Sequence, residues 1–131
     1  MNVPLEEAQR LFSLAQRDQR AFKTLSMHCS VEDFPTAAFH AQQAIEKCLK
    51  SILCLLGGNY RRTHDLTELA GRLSDLGESL PIEENTLYRL TPYAVELRYD
   101  EVAIALISHD DAAMAVTLMV NYCQQRLASA K

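Results

Sequence analysis

Residues 37–56 read AAFHAQQAIEKCLKSILCLL, and this stretch decides the fold. Nearly all of its residues favour helix, and the glycine pair Gly57-Gly58 follows as a stop signal. Its apolar side chains recur at steps of three or four, the spacing of one helix face. They are Ala41, Ile45, Cys48, Ile52 and Leu55, with Leu49, Leu53 and Leu56 widening the stripe. The pattern predicts a helix that is buried against several neighbours.

The opposite side of this helix is polar. Gln43, Lys47 and Lys50 also follow each other at steps of four and three, so they share one face. Glu46 precedes Lys50 by four residues, the favourable order for an ion pair on a helix. This spacing is compatible with a solvated face and with a face that binds a ligand.

Length and composition indicate one globular domain that spans residues 1–131. The chain has 131 residues, of which 48% are hydrophobic, enough to build a core without disulfides or metals. The net charge of -4 argues against a general nucleic-acid coat protein, although it leaves room for a local basic patch. The absence of a signal peptide and of an apolar run of bilayer length predicts a protein without a membrane anchor.

Cysteine and histidine spacing predicts neither disulfides nor a metal. Cys29, Cys48, Cys54 and Cys123 form no CxxC motif, and we expect reduced thiols in a cytoplasmic protein. The histidines have no metal-ligand spacing, so we expect no metal and no cofactor. They are His28, His40, His64 and His109.

Four further helices are predicted around the central one. The first runs from about Pro4 to His28, with a more solvated turn at Asp18 and Gln19. The third begins near residues 63–65 and ends at Gly77. The fourth begins near residues 83–84 and is kinked by Pro92, and the fifth begins after Ser108. Because the loops are short, we expect an all-α, up-and-down helical bundle of four to five antiparallel helices.

Two clusters besides the helix face are candidates for phosphate binding. Residues 61–65, RRTHD, run into the start of the third helix, where backbone N–H groups and arginines favour an anion. The candidates here are Arg62, His64 and Asp65, and the alternative is that His64 and Asp65 only cap the helix. Arg98 and Tyr99, followed by an aspartate, could bind phosphate or form a structural ion pair.

Three segments together resemble the HEPN domain family. They are AAFHAQQAIEKCLKSIL at 37–53, RTHDLTELAGRL at 62–73 and LTPYAVELRYD at 90–100. The resemblance implies a helical bundle that is frequently dimeric and that in prokaryotes is commonly encoded beside a minimal nucleotidyltransferase, as a toxin–antitoxin-type module. It also implies nucleotide binding or, in many branches, metal-independent RNA cleavage by an arginine and a histidine four to six residues later.

The chain departs from the ribonuclease pattern of that family. After Arg98 the next histidine is His109, eleven positions on, so His109 or His64 would have to complete the pair. We therefore favour a non-catalytic protein that binds a nucleotide or phosphate ligand, a minimal nucleotidyltransferase partner, or both. Tyr99 is a weak candidate to accept a nucleotide from such a partner.

Two other functions stay open at this point. A metal-independent endoribonuclease toxin would use Arg98 with one of the two histidines on RNA. A purely structural homodimerisation module would bury the apolar run at 102–107 between two copies.

Overall fold

The computed structural model describes residues 3–27, 30, 33–60, 62–95 and 106–130. Within them the chain forms five α-helices and one 3-10 helix, in the order that follows. They are α1 (Val3–Ser26), α2 (Phe34–Leu55), α3 (Leu66–Asp75), α4 (Glu84–Leu90), the 3-10 helix Thr91–Ala94, and α5 (His109–Ser129). The predicted all-α bundle is confirmed.

Helix α2 is the centre of the bundle. It packs against α1, α3, α5 and the 3-10 helix, and no side chain between residues 37 and 55 is fully exposed. Ile45, Leu49 and Ile52 are completely buried, as their spacing predicts. A helix surrounded in this way can keep polar groups only if they are paired, because burying an unpaired polar group is costly. We therefore expect the buried polar residues of α2 to have hydrogen-bond or ion-pair partners in neighbouring elements.

Small side chains allow α1 and α2 to approach closely. Ala8 and Ala15 on α1 and Ala44 on α2 are all fully buried. Ser51 is buried on the same side of α2 as Ala44, two turns further on, and its hydroxyl donates a 2.7 Å hydrogen bond to the carbonyl oxygen of Ala8. This contact fixes how α1 lies along α2.

Glycines and capping side chains occur at the ends of the helices. Gly57 has φ +74 and Gly77 has φ +89, left-handed conformations that favour glycine where a helix ends. The Asp65 side chain accepts hydrogen bonds from Thr67 N and Glu68 N at the start of α3. The Ser108 hydroxyl accepts from Asp111 N at the start of α5. Both caps leave fewer unsatisfied N–H groups in the first turn.

Pro92 ends α4 instead of only bending it. Helix α4 stops at Leu90, and the chain tightens into the 3-10 helix, with Pro92 in its first turn. This agrees with the physical cause of the predicted kink, since proline lacks the N–H that a continuing α-helix needs. No helix in the described ranges is long and apolar enough to cross a membrane.

An ion pair joins the loop after α3 to the last turns of α5. Arg126 donates to both carboxylate oxygens of Glu78, with Nη2 2.7 Å from Oε1, and the Tyr122 hydroxyl also donates to this carboxylate. Burial alone would raise the pKa of Glu78. The hydrogen bonds from Arg126 and Tyr122 outweigh burial, and its pKa lies below the usual value.

We expect this ion pair to make part of the stability sensitive to acid. A carboxyl whose pKa is lowered by folding stabilises the native state above its unfolded pKa of about 4.3, and this contribution is lost as the pH falls through the lower folded value. The difference in unfolding free energy between the wild type and Glu78→Gln should therefore be largest at pH 7 and shrink below about pH 4. Urea unfolding of both proteins at pH 7 and at pH 3 measures this difference in unfolding free energy. An equal difference at pH 7 and pH 3 would contradict this assignment.

Candidate functional site

A buried carboxylate on α2 holds the first half of the candidate site. The Glu46 side chain is only 5% exposed, and its two oxygens have different partners. Oε1 is 2.8 Å from Nδ1 of His64, and Oε2 is 3.0 Å from Nζ of Lys50. Gln42, one turn earlier, donates from Nε2 to Glu46 Oε1 and to the backbone carbonyl of His64. Glu46 therefore fixes both a lysine and a histidine that the sequence marked as candidates.

Lys50 is held from a second side by an aromatic ring. Its Nζ lies 5.4 Å from the centre of the Tyr60 ring, within the range of a cation–π contact. Burial raises the pKa of the Tyr60 phenol, and the nearby Cys54 thiol and Glu7 carboxylate raise it further. The phenol therefore stays neutral at pH 7. Tyr60 offers an uncharged aromatic surface beside the ammonium group.

A second carboxylate, on α1, repeats the same arrangement. Oδ1 of Asp18 is 2.9 Å from Nδ1 of His40, and Oδ2 forms an ion pair with Lys47. Asp18 is 9% exposed, so the predicted solvated turn at this position is wrong. The reason is that His40 and Lys47 on α2 provide the charged and polar partners that allow the carboxylate to be buried.

The two lysines of the predicted helix face thus have different partners. Lys47 reaches α1, whereas Lys50 lies toward residues 60–64. Gln43, one turn before Lys47, donates from Nε2 to Oε1 of Gln42, which itself donates to Glu46. The helix face that the sequence predicts for Lys47 and Lys50 therefore does not bring both ammonium groups to the same partners.

We call the strip of α2 between α1 and residues 60–64 the α2 groove. Its side chains on α2 are half-buried, because α1 lies along one side and Tyr60 and His64 along the other. They are Phe39, Gln43, Lys47, Lys50 and Cys54. The α2 groove thus places two lysines and an amide beside Phe39 and Cys54, between α1 and residues 60–64.

Arg62, His64 and Asp65 have different roles in the structure. Asp65 caps α3, and its Oδ1 also accepts from the Thr67 hydroxyl, so this oxygen has a structural role. His64 does not cap the helix. Its side chain is 60% exposed, and its Nδ1 contact with Glu46 leaves Nε2 on the outer side of the ring. Arg62 is exposed and forms no ion pair with a described residue.

The second histidine candidate is far from the first. His109 stacks on Phe22 with ring centres 5.5 Å apart, and it lies against the edge of Phe34. Phe34 and Glu46 are twelve positions apart on α2, about 18 Å along its axis. Because His64 contacts Glu46, the two imidazoles do not meet at one phosphate within one chain. Arg98 and Tyr99 lie outside the described residues.

The described residues contain no group of three or more histidine, cysteine or acidic side chains that could hold a metal ion.

The proposed interface run at 102–107 lies mostly outside the described residues. Of its two described members, Leu106 is 45% exposed and Ile107 is buried.

The fold and the α2 groove define an all-helical bundle protein with a strip of paired charged and polar side chains on its central helix. The chain belongs to the HEPN domain family, whose model matches residues 6–123. Members of this family have nucleotide-binding or ribonuclease roles.

Its structure is similar to the crystal structure of an archaeal HEPN homologue, with a TM-score of 0.62. The two chains share 17% identity, and the match covers 97% of this chain and 99% of the other. At this identity the likeness supports the fold alone. No protein of curated function matches the chain.

Proposed function

We propose that this HEPN protein binds the phosphate group of a nucleotide in the α2 groove, through Lys50 and His64. The observation that carries the proposal is the position of Glu46, which is buried and holds both groups at the edge of the groove. A lysine ammonium has three N–H donors, and the structure assigns one of those of Lys50 to Glu46. We propose that the others donate to the phosphate.

The neighbours of Lys50 suit the rest of a nucleotide. Tyr60 supplies an aromatic face on which a base can stack, an interaction worth about 1–3 kcal/mol per base in single-strand-binding proteins. Gln43 supplies an amide within the same groove, and Arg62 is exposed beside His64. A ligand phosphate at His64 Nε2 leaves the Nδ1 contact with Glu46 intact.

The proposal also includes a partner protein, an oligomeric state and a cellular location. The RTHDL and RYD segments resemble those of HEPN proteins paired with a minimal nucleotidyltransferase, and we propose such a partner in a toxin–antitoxin-type module. Homodimerisation is proposed on the same resemblance. Cys48, Cys54 and Cys123 are free thiols, which supports the proposed cytoplasmic location.

Calorimetric titration with AMP, ATP and GTP tests the binding proposal. Lys50→Gln and His64→Gln should each weaken binding about tenfold or more, because hydrogen bonds to charged groups contribute about 1.5–3 kcal/mol. Arg72→Gln removes an exposed charge on α3, outside the groove, and should leave binding unchanged.

Circular dichroism of each variant separates lost binding from lost folding. If no nucleotide releases heat, with or without the partner, the proposal fails. Binding that is insensitive to both groove substitutions in folded protein would place the ligand elsewhere and would also reject it.

A further inference from the structure

Two cysteines from distant parts of the chain meet in the core. Cys48 on α2 and Cys123 on α5 are both completely buried, and both are free thiols. The Cys123 thiol donates a hydrogen bond to the backbone carbonyl of Cys48, with Sγ 3.8 Å from the oxygen. Neither residue lines the α2 groove, so the proposed function uses neither of them.

The two thiols also form a hydrogen bond with each other. This bond raises the pKa of Cys48, which burial raises further, and it lowers the pKa of Cys123. For Cys123 the hydrogen bond outweighs burial, and a further hydrogen bond with Ser51 acts in the same direction. Cys123 is therefore the thiol that loses its proton more readily, and the thiolate is the form that reacts with oxidants.

The packing of α2 on α5 allows a disulfide between these residues. The axes of packed helices lie about 8–10 Å apart and their Cα atoms about 2.3 Å from each axis, so residues that face each other directly have Cα atoms about 3.5–5.5 Å apart. This overlaps the range of about 4.4–6.8 Å found for disulfides. Cys48 and Cys123 face each other across the contact between α2 and α5. Their sulfurs can thus be joined with little movement of the two helices.

The last turns of α5 control whether an oxidant can reach the thiols. Cys123 lies less than two turns before the end of α5 at Ser129, and helix ends open at a lower free-energy cost than a core. Glu78 holds these turns, because Arg126 and the Tyr122 hydroxyl both donate to its carboxylate. The ion pair of Glu78 with Arg126 therefore opposes the opening that would expose the buried thiols.

From this arrangement we infer that Cys48 and Cys123 are an oxidisable pair, which hydrogen peroxide converts to a disulfide when the last turns of α5 open. The Cys123 thiolate attacks one oxygen of the peroxide, the O–O bond breaks, and a sulfenic acid and hydroxide form. The Cys48 sulfur then attacks the sulfenic sulfur, so that the S–S bond forms and the S–O bond breaks. The two thiols lose two electrons and two protons, and the peroxide becomes two molecules of water.

The disulfide would attach α5 to α2 covalently. It would close a long loop, because the two cysteines are 75 positions apart in the chain. A closed loop of this length restricts the unfolded chain, so the oxidised protein should be more stable than the reduced one. Oxidation would thus fix α5 in place, and a thiol reductant would release it.

The test uses the full chain with Cys29→Ser and Cys54→Ser, which leaves Cys48 and Cys123 as the only thiols. Folded protein is treated with hydrogen peroxide, its thiols are counted in urea, and its mass is measured. Both thiols should disappear, and the mass should fall by two hydrogen atoms within a single chain. The urea midpoint should rise and should return when dithiothreitol is added. Cys123→Ala in the same background, folded by circular dichroism, should show no such rise.

A substitution at Glu78 tests whether opening of α5 limits the reaction. Glu78→Gln removes the carboxylate that Arg126 and Tyr122 bind, so the thiols should be lost about threefold faster or more, because the last turns of α5 open more often. Glu83→Gln changes an exposed glutamate before α4 and should leave the rate unchanged. Equal rates in the two variants would reject the opening of α5 as the route.

Three results would overturn the inferred pair. One is a gain of oxygen atoms without a disulfide, which means that the thiols are oxidised separately. Another is a disulfide between two chains. The third is folded protein that keeps both thiols under conditions that oxidise them in urea, which would make the pair an inert contact of the core. None of these results bears on the α2 groove, which the titration with AMP tests by itself.

Discussion

Replacing Glu46 by alanine is expected to lower the free energy of unfolding by about 3–5 kcal/mol, the usual cost of removing one partner of a buried ion pair. The Glu46 side chain is 5% exposed, and the variant would leave the Lys50 ammonium, itself 13% exposed, without its carboxylate. Gln42 and His64 would lose an acceptor as well. Urea unfolding followed by circular dichroism at pH 7 measures the change.

Two further variants test whether the loss of stability is specific to the buried Glu46 carboxylate. Glu46→Gln keeps the shape and an acceptor oxygen, so its loss should be smaller than that of the alanine variant. Glu83→Ala removes an exposed glutamate that precedes α4 and makes no side-chain cap, and it should change stability by at most about 0.5 kcal/mol. If Glu46→Ala were as mild as Glu83→Ala, the carboxylate would not be the centre of this cluster.

The sequence predicts the helices well because their signals are local. The apolar spacing of α2, the glycines after α2 and α3, and the Ser108 cap each depend on residues within one or two turns. The start of α2 depends on equally local signals: the helix begins at Phe34, with Asp33 at its N-cap and Pro35 in the first turn, where proline is tolerated.

The candidate site is predicted less completely because its contacts join distant parts of the chain. The helix periodicity places Lys47 and Lys50 on one face, but it contains no information that Asp18, 29 positions before Lys47, would be the partner. Asp18 and His40 were therefore missed as site residues, and Glu46 was recognised only as a surface pair with Lys50. One signal was present: a helix predicted to be buried on several sides carried a glutamate, which must then have partners.

The separate roles of His64 and Asp65 show the same limit. A THD sequence before a helix predicts a cap, and Asp65 provides it. The alternative that His64 also only caps the helix is not what the structure shows, because His64 contacts Glu46 on α2, 18 positions earlier in the chain. Which of two adjacent polar residues caps a helix is decided by the direction of the backbone and by the partner that the fold brings near.

Replacing Tyr93 by alanine should lower the free energy of unfolding by about 3–5 kcal/mol, the usual range for removing a large aromatic side chain from a core. Tyr93 in the 3-10 helix is completely buried, and its ring lies against the edge of Phe34 with centres 5.9 Å apart. Its hydroxyl accepts a 3.0 Å hydrogen bond from the backbone N–H of Leu106. Tyr93 therefore joins the 3-10 helix both to the start of α2 and to the approach to α5.

Tyr93→Phe separates the two contributions, since it keeps the ring and removes only the acceptor for Leu106 N–H. We expect a loss of about 1 kcal/mol and faster hydrogen exchange at the Leu106 amide. Tyr88→Ala on α4 is the matched control, because this ring is 70% exposed and its removal should cost at most about 0.5 kcal/mol. If Tyr93→Phe left exchange at Leu106 unchanged, the hydroxyl would not hold this backbone segment before α5.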